Sequence, residues 1–177
     1  MQRLALGAGA GILLCLPALH FSASKPSEYE VKAAYLYNFG RFVQWPQDVP
    51  SSQAGDFAIC VLGQDPFGRA LDSTIDGEKI EGKNVVARRL SSDEDARSCR
   101  VLFISTSEGK RIKDVLAAVD KQGVLTVSDL PEFTSQGGMV QFVLRQSHVR
   151  FEINLGAARQ AGLNLSSELL KVADKVQ

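Results

Sequence analysis

The chain is poor in the side chains that catalysis most often uses. It has two histidines, three cysteines, two methionines and one tryptophan. His20 and Cys15 fall in an N-terminal segment that reads as removable, so His148 is the imidazole that remains. It lies in a turn between two apolar stretches, where a solvated loop residue is the ordinary reading. One histidine and one pair of cysteines build neither a zinc site nor a Cys-His dyad. The chain also has no Gly-x-Ser-x-Gly elbow, no phosphate-binding P-loop, no His-Glu-x-x-His and no Cys-x-x-Cys. This pattern calls for no cofactor and no metal, and argues against an enzyme. Charge of one sign is missing too: 20 basic residues face 20 acidic ones, leaving no footprint for nucleic acid or anionic lipid.

What is present begins with a leader. Arg3 precedes an uncharged run from Leu4 to Leu16, then Pro17 and the small residues Ser22-Ala23-Ser24. This is the three-part pattern of a secretory signal. The run is shorter than the roughly 20 residues a spanning helix needs. Leu14 before Cys15 does not make a lipoprotein box. The expected division is a cleaved signal peptide over residues 1–24 and one domain over 25–177, exported to the periplasm. Losing Arg3 leaves that domain with a net charge of −1. About 150 residues remain, enough for a sizeable core.

Along that domain strands and helices alternate. Residues 28–45 read as an amphipathic helix in which Val31, Tyr35, Phe39 and Phe42 form a stripe at 3.6 periodicity, stopped by Pro46. A polar loop follows over 47–56. Apolar runs at 57–62, 84–90, 101–105 and 124–127 read as strands, the first as one covered on both faces. Between them, Asp65 and Pro66 suit the start of a short helix running to about Thr74, and Ser107 suits the cap of another through Asp120. Residues 139–144 and 149–154 read as an antiparallel hairpin, and helices at 156–161 and 166–176 close the chain. The order predicts an α/β fold: a mixed, mostly parallel sheet with helices on both faces and a C-terminal β-hairpin.

Right-handed crossovers bring the first and third of those strands together, which makes a disulfide between Cys60 and Cys99 geometrically reasonable. It would close a loop of about forty residues, worth about 4 kcal/mol on the chain-entropy argument. Two buried, reduced core cysteines are the other reading.

Two sets of residues are candidates for binding. Gly63, Asp65, Ser105, Ser107 and Asp129 follow predicted parallel strands, so they gather at the carboxyl edge where open α/β sheets take ligands. Both aspartates are also ordinary turn and cap residues. Tyr37, Phe42, Trp45, Phe67 and Phe133 lie near helix ends or in loops. Each alone suits a core position; together they suit an exposed patch for a protein partner.

The string Glu30-Val-Lys-Ala-Ala-Tyr-Leu-Tyr-Asn-Phe39, with Phe42 and Trp45-Pro46, resembles the opening of the YfiR family. So do Cys60-Val-Leu-Gly, Asp65-Pro-Phe-Gly68, Cys99-Arg-Val-Leu-Phe-Ile-Ser105, Leu125-Thr-Val-Ser-Asp129, Gly137-Gly-Met139, Arg150-Phe-Glu-Ile-Asn154 and Ala161-Gly-Leu163, in order. The resemblance implies a periplasmic regulator that represses an inner-membrane diguanylate cyclase through that enzyme's periplasmic sensing domain, lowering cyclic di-GMP and so biofilm formation. It implies a homodimer, sequestration by an outer-membrane, peptidoglycan-associated lipoprotein, and a disulfide at Cys60 and Cys99. The second cysteine pair of some members is absent. The alternative function is a periplasmic small-molecule sensor with its ligand at the carboxyl edge, feeding a membrane signalling partner.

Overall fold

The computed structural model describes residues 25–46 and 55–177. The expected signal peptide and most of the 47–56 loop lie outside the described residues. Helix α1 spans Glu28–Phe42. It starts at a capping box: Glu30 donates its N–H to Ser27 Oγ at 3.3 Å, and the Ser27 N–H donates to the Glu30 carboxylate. Such a cap is worth about 1 kcal/mol. Glu28 and Glu30 in the first turn and Arg41 in the last complement the helix dipole.

The helix ends at Phe42, earlier than Pro46 suggests. Val43–Gln44 (β1) pair antiparallel with Asn164–Leu165 (β9), which satisfies their backbone outside the helix. Trp45 therefore follows a short strand and does not terminate a helix.

The main sheet contains Phe57–Leu62 (β2), Lys79–Ile80 (β3), Lys83–Leu90 (β4), Val101–Ile104 (β5), Leu125–Ser128 (β6), Val140–Arg145 (β7), His148–Ile153 (β8) and Lys175–Val176 (β10). Their spatial order is β10-β8-β7-β6-β5-β2-β4-β3. The five strands β4, β2, β5, β6 and β7 are parallel, the β7–β8 pair is the expected hairpin, and the predicted fold class holds. Strand β2 is central, and all of its residues are buried. Alternation sends Phe57, Ile59 and Val61 into one core with Leu36, Phe39, Phe103 and Phe151. It sends Ala58, Cys60 and Leu62 into a second core with Leu102, Val115 and Phe133. Helix α1, with α2 (Arg69–Ile75), α4 (Leu155–Gln160) and α5 (Ser167–Val172), covers the first face. Helix α3 (Ile112–Ala118) and the 3-10 turn Asp93–Ser98 cover the second.

Several local expectations are corrected by backbone satisfaction. Asp65 does not cap a helix. Its Oδ1 accepts the Phe67 N–H at 2.8 Å in an Asx-type turn, and α2 starts only at Arg69. Ser105, not Ser107, caps the third-strand exit, accepting the Ser107 N–H at 3.4 Å, and a 3-10 turn Thr106–Arg111 precedes α3. The last helix stops at Val172 because the outer edge of β8 offers free backbone groups. The Asp174 and Gln177 N–H groups donate to Phe151 O at 2.8 Å and Ile153 O at 2.9 Å.

Cys60 and Cys99 are bonded, with Cα atoms 5.9 Å apart and a sequence separation of 39. The bond fastens the segment entering β5 to the middle of β2, inside the second core. Replacing both cysteines by alanine should lower the unfolding free energy by about 4 kcal/mol in urea titration; a loss below about 1 kcal/mol would mean that the loop is already held by packing. Phe133, fully buried, seals the same core, and the Gly138 N–H returns to its carbonyl at 2.9 Å. A Cβ on Gly138 would overlap the Phe133 ring. Gly138→Ala should cost about 1–3 kcal/mol, with a lowered urea midpoint and an unchanged slope.

Candidate functional site

The carboxyl edge gathers the residues expected there. Gly63, Ser105 and Asp129 leave β2, β5 and β6, which are adjacent and parallel. Gly63 has φ +88°, and a Cβ there would press on Ser107 Oγ and Glu108, so glycine lets the two loops close on each other. Ser107 Oγ accepts the Gln64 N–H at 2.9 Å, and Ser128 Oγ donates to Ile104 O at 2.6 Å while accepting the Leu130 N–H at 3.1 Å. The Asp65 carboxylate takes Arg89 Nε at 3.0 Å, and the same guanidinium grips Asp72 through two bonds of 2.6 and 2.7 Å. The Arg89 bond holds the Asp72 carboxyl below its ordinary pKa, against the opposing effect of burial.

Asp129 is the end of a longer chain of contacts. Its Oδ2 accepts both the Tyr29 hydroxyl and Lys32 Nζ, each at 2.8 Å. Lys32 is a buried lysine one turn into α1; it also pairs with Glu28 and sits 4.4 Å from the Tyr29 ring centroid. Burial, then the bond to Asp129, pushes the Tyr29 hydroxyl well above its usual pKa, so it stays a donor. The Tyr29 ring packs edge-on against Phe67, centroids 5.4 Å apart, and Phe67 against Phe103 at 4.7 Å. The edge groups thus bond to one another and to α1, fixing that helix to the sheet.

The aromatic set divides. Trp45, Phe67 and Phe133 are buried core residues, so the five do not form one exposed patch. The reason is the sheet: both of its faces need large apolar plugs, and these three supply them. Tyr37 lies half-buried and donates its hydroxyl to Glu78. Phe42 is 38% exposed.

Phe42 leads to a surface that the candidate residues only partly captured. Between α1 and α5 runs a cleft of about 300 Å³ lined by Tyr35, Phe39, Phe42, Phe151, Leu169 and Val172, with Asn38 and Glu168 as its polar members. Its floor is fixed by ring contacts: Tyr35 and Phe39 each meet Phe151, at 5.3 and 5.1 Å, and Phe142, at 6.0 and 5.9 Å. Its rim carries Phe42 and Val172, the latter 65% exposed. A second cleft, of about 630 Å³, continues past Val31 and Tyr35 to Leu144 and Val149 of the hairpin. The stripe Val31–Tyr35–Phe39–Phe42 borders these two clefts, while the fully inward face of α1 is Lys32, Ala33, Leu36, Phe39 and Gly40. Val172 was missed because the expected helix ran four residues too far and hid its last turn; its spacing from Leu169 was the available signal.

The two carboxylates of the edge carry different weights. Asp129→Asn removes the charge that meets both the buried Lys32 ammonium and the Tyr29 hydroxyl and leaves Lys32 only the partly exposed Glu28, so it should cost about 1.5–3 kcal/mol. Asp65→Asn, facing a partly exposed guanidinium that keeps Asp72, should cost under about 1 kcal/mol. Thermal unfolding of the two variants distinguishes them, and equal losses would contradict this ordering.

Among the described residues no helix is long and apolar enough to cross a membrane. Among curated proteins no significant match is found. Several solved structures share the fold, two of which follow. One is a conserved domain protein of Vibrio cholerae O1 biovar El Tor, at 12% identity and a TM-score of 0.56, with 87% of this chain covered and 62% of that one. The other is the ABC domain from Streptococcus pneumonia in complex with L-tryptophan, at 12% identity and a TM-score of 0.55, with 82% and 60% covered. This chain thus spans about three-fifths of each of those proteins. The family described as YfiR/HmsC-like matches residues 29–174, from the first turn of α1 to the residue before the last strand. The chain belongs to the YfiR/HmsC-like family.

Proposed function

We propose that this chain is a non-catalytic periplasmic regulator that binds the periplasmic sensing domain of an inner-membrane diguanylate cyclase and holds that enzyme in its inactive state, lowering cyclic di-GMP. The family match over nearly the whole described chain carries this reading. A disulfide between β2 and the segment entering β5, suited to an oxidising compartment, supports it. So does the engagement of the carboxyl-edge groups with one another, which favours a docking role over a ligand sensor at that edge. Repression by binding needs only a higher affinity for the inactive cyclase than for the active one. The chain acts as a homodimer and is withdrawn from the cyclase by an outer-membrane, peptidoglycan-associated lipoprotein.

The docking surface is the cleft between α1 and α5. Phe42 and Val172 stand exposed on its rim above a rigid aromatic floor, an arrangement that accepts an apolar side chain from the cyclase's periplasmic domain. Phe42→Glu or Val172→Glu should weaken capture of that domain about thirtyfold, as loss of a hot spot of about 2 kcal/mol requires. The melting temperature should hold, because exposed substitutions cost within about 0.5 kcal/mol. Unchanged capture by both variants would move the surface elsewhere. Failure of the wild-type chain to bind the domain, with cyclic di-GMP unaltered by its deletion, would overturn the function.

A further inference from the structure

Strand β4 is the last long strand on its side of the sheet, and half of its outer side is bare. Beyond it lies β3, two residues long, which pairs Lys79 with Asn84 and Ile80 with Lys83. The Val85 N–H donates to Glu78 O at 2.9 Å, so Val85 turns its peptide groups away from β2. Successive residues of a strand turn theirs to opposite sides. Ala87 and Arg89 therefore also point away from β2, while Val86 and Arg88 point toward it. From Val86 to Leu90 no strand lies outside β4 among the described residues, and the outward N–H groups of Ala87 and Arg89 have no partner there. The segment is within reach of solvent: Arg88 and Arg89 are exposed, and Val86 and Ala87 are half-buried.

Open edges are commonly guarded by charge, and β4 carries Lys83, Arg88 and Arg89 with no acidic residue. The guard is uneven. Arg89 is turned onto the first face of the sheet, where Asp65 and Asp72 hold its guanidinium. Arg88 faces the other way, and its side chain meets only the Ser98 hydroxyl, at 3.4 Å. A cation so placed repels a basic strand and attracts an acidic one. A second copy of this chain does not fit. A two-fold pairing centred on Ala87 would bring the copy's Arg89 beside Val85, whose outer side Glu78 already fills. A pairing centred on Arg89 would set two arginines directly opposite each other. What fits is an extended segment of another protein with a carboxylate opposite Arg88 and an apolar side chain opposite Ala87, which packs against the first core.

We propose that the outer edge of β4, from Val86 to Leu90, is a docking site for an extended acidic segment of a partner protein, which adds to the sheet as a further strand. The segment exchanges main-chain hydrogen bonds with Ala87 and Arg89 and sets a carboxylate against the Arg88 guanidinium. This edge lies at the other end of the strand order from β8, whose Phe151 floors the α1–α5 cleft. It is thus independent of the docking function assigned to that cleft.

The test is amide hydrogen exchange of the purified protein, read residue by residue by NMR. The probe is the peptide acetyl-Glu-Val-Glu-Val-Glu-amide, and the reference is acetyl-Lys-Val-Lys-Val-Lys-amide at matched ionic strength. In the protein alone the Ala87 and Arg89 amides should exchange fast, and those of Val86 and Arg88, bonded into the β2 ladder, slowly. The acidic peptide should slow Ala87 and Arg89 saturably, about tenfold at ten times a dissociation constant on the order of 1 mM. The basic peptide should not. Ala87→Pro removes an N–H that faces away from β2, so the fold should stay and the protection of Arg89 should be lost. Arg88→Glu should reverse the preference between the peptides, and Phe42→Glu should leave the response unchanged. Slow exchange of Ala87 and Arg89 without peptide overturns the proposal, because the edge would then already be covered; if the slowing grows with protein concentration, a second copy covers it. No protection by the acidic peptide, or equal protection by both, overturns it as well. Should Ala87→Pro fail to fold, Arg88→Glu decides at an exposed position: an unchanged preference for the acidic peptide counts against the site.

Discussion

The two-sided burial of β2 is the constraint on which the rest of the molecule depends. A strand with no exposed residue needs a complete layer of apolar side chains on each face. Phe57, Ile59 and Val61 require one layer and Ala58, Cys60 and Leu62 another. The first is supplied by α1 and the helices around it; the second by α3 and the loop that carries Phe133. The small residues Ala58 and Cys60 on the second face leave room for Cys99, which is why a covalent tie fits there and would not fit among the rings of the first face. The tie in turn fixes the residue beside it, so Arg100 is held at the sheet edge whatever its own solvation prefers.

Helix α1 answers to two demands at once. Its inward face must lie close to the sheet, and Ala33 and Gly40 permit that approach; a Cβ on Gly40 would meet Ile80 and Phe57. The same face carries Lys32, whose burial is tolerated because Glu28 precedes it by one turn and Asp129 reaches it from the end of β6. The helix is thereby pinned at its N-terminus by charge and along its length by rings. Its flank is then presented rigidly, and rigidity matters for docking: a surface that need not be ordered on binding loses less free energy in association.

The strands and the fold class were readable because continuous apolar runs bounded by turn residues have few alternatives in a chain of alternating elements. The pairing of Cys60 with Cys99 was readable for the same reason, since handed crossovers leave little choice of neighbours. Element ends were not readable. Asp65 and Ser107 both carry the side chains of helix caps, and both were claimed instead by other backbone donors, Phe67 two residues on and Gln64 from the neighbouring loop. Whether an aromatic faces core or solvent was equally hidden. Phe133 in a glycine-rich loop and Phe42 on a helix look alike in sequence, yet one is fully buried and the other is partly exposed. That difference depends on which face of the sheet still lacks a plug, a quantity no local window contains. The last helix was overrun because competition from the edge of β8 for residues 174–177 is non-local.

The function proposed above sets a demanding energetic requirement for such a repressor. Moving a partner's equilibrium from almost wholly active to almost wholly inactive takes a difference in affinity of about 10⁴-fold, roughly 5.5 kcal/mol. An aromatic and an aliphatic anchor, each worth about 2 kcal/mol when buried against a complementary pocket, supply much of that difference if the pocket exists only in the inactive cyclase. The remainder must come from the rim, and the hairpin cleft that continues from Tyr35 to Leu144 is continuous with it. Reversibility follows from the same arithmetic. A competitor that covers only Phe42 and Val172 removes the differential part of the affinity and restores the active cyclase, without any change of shape in the repressor. On this account the fold has no need of a moving part: the covalent and ionic ties that hold α1 and β5 in place make the surface constant, and control lies in which partner occupies it.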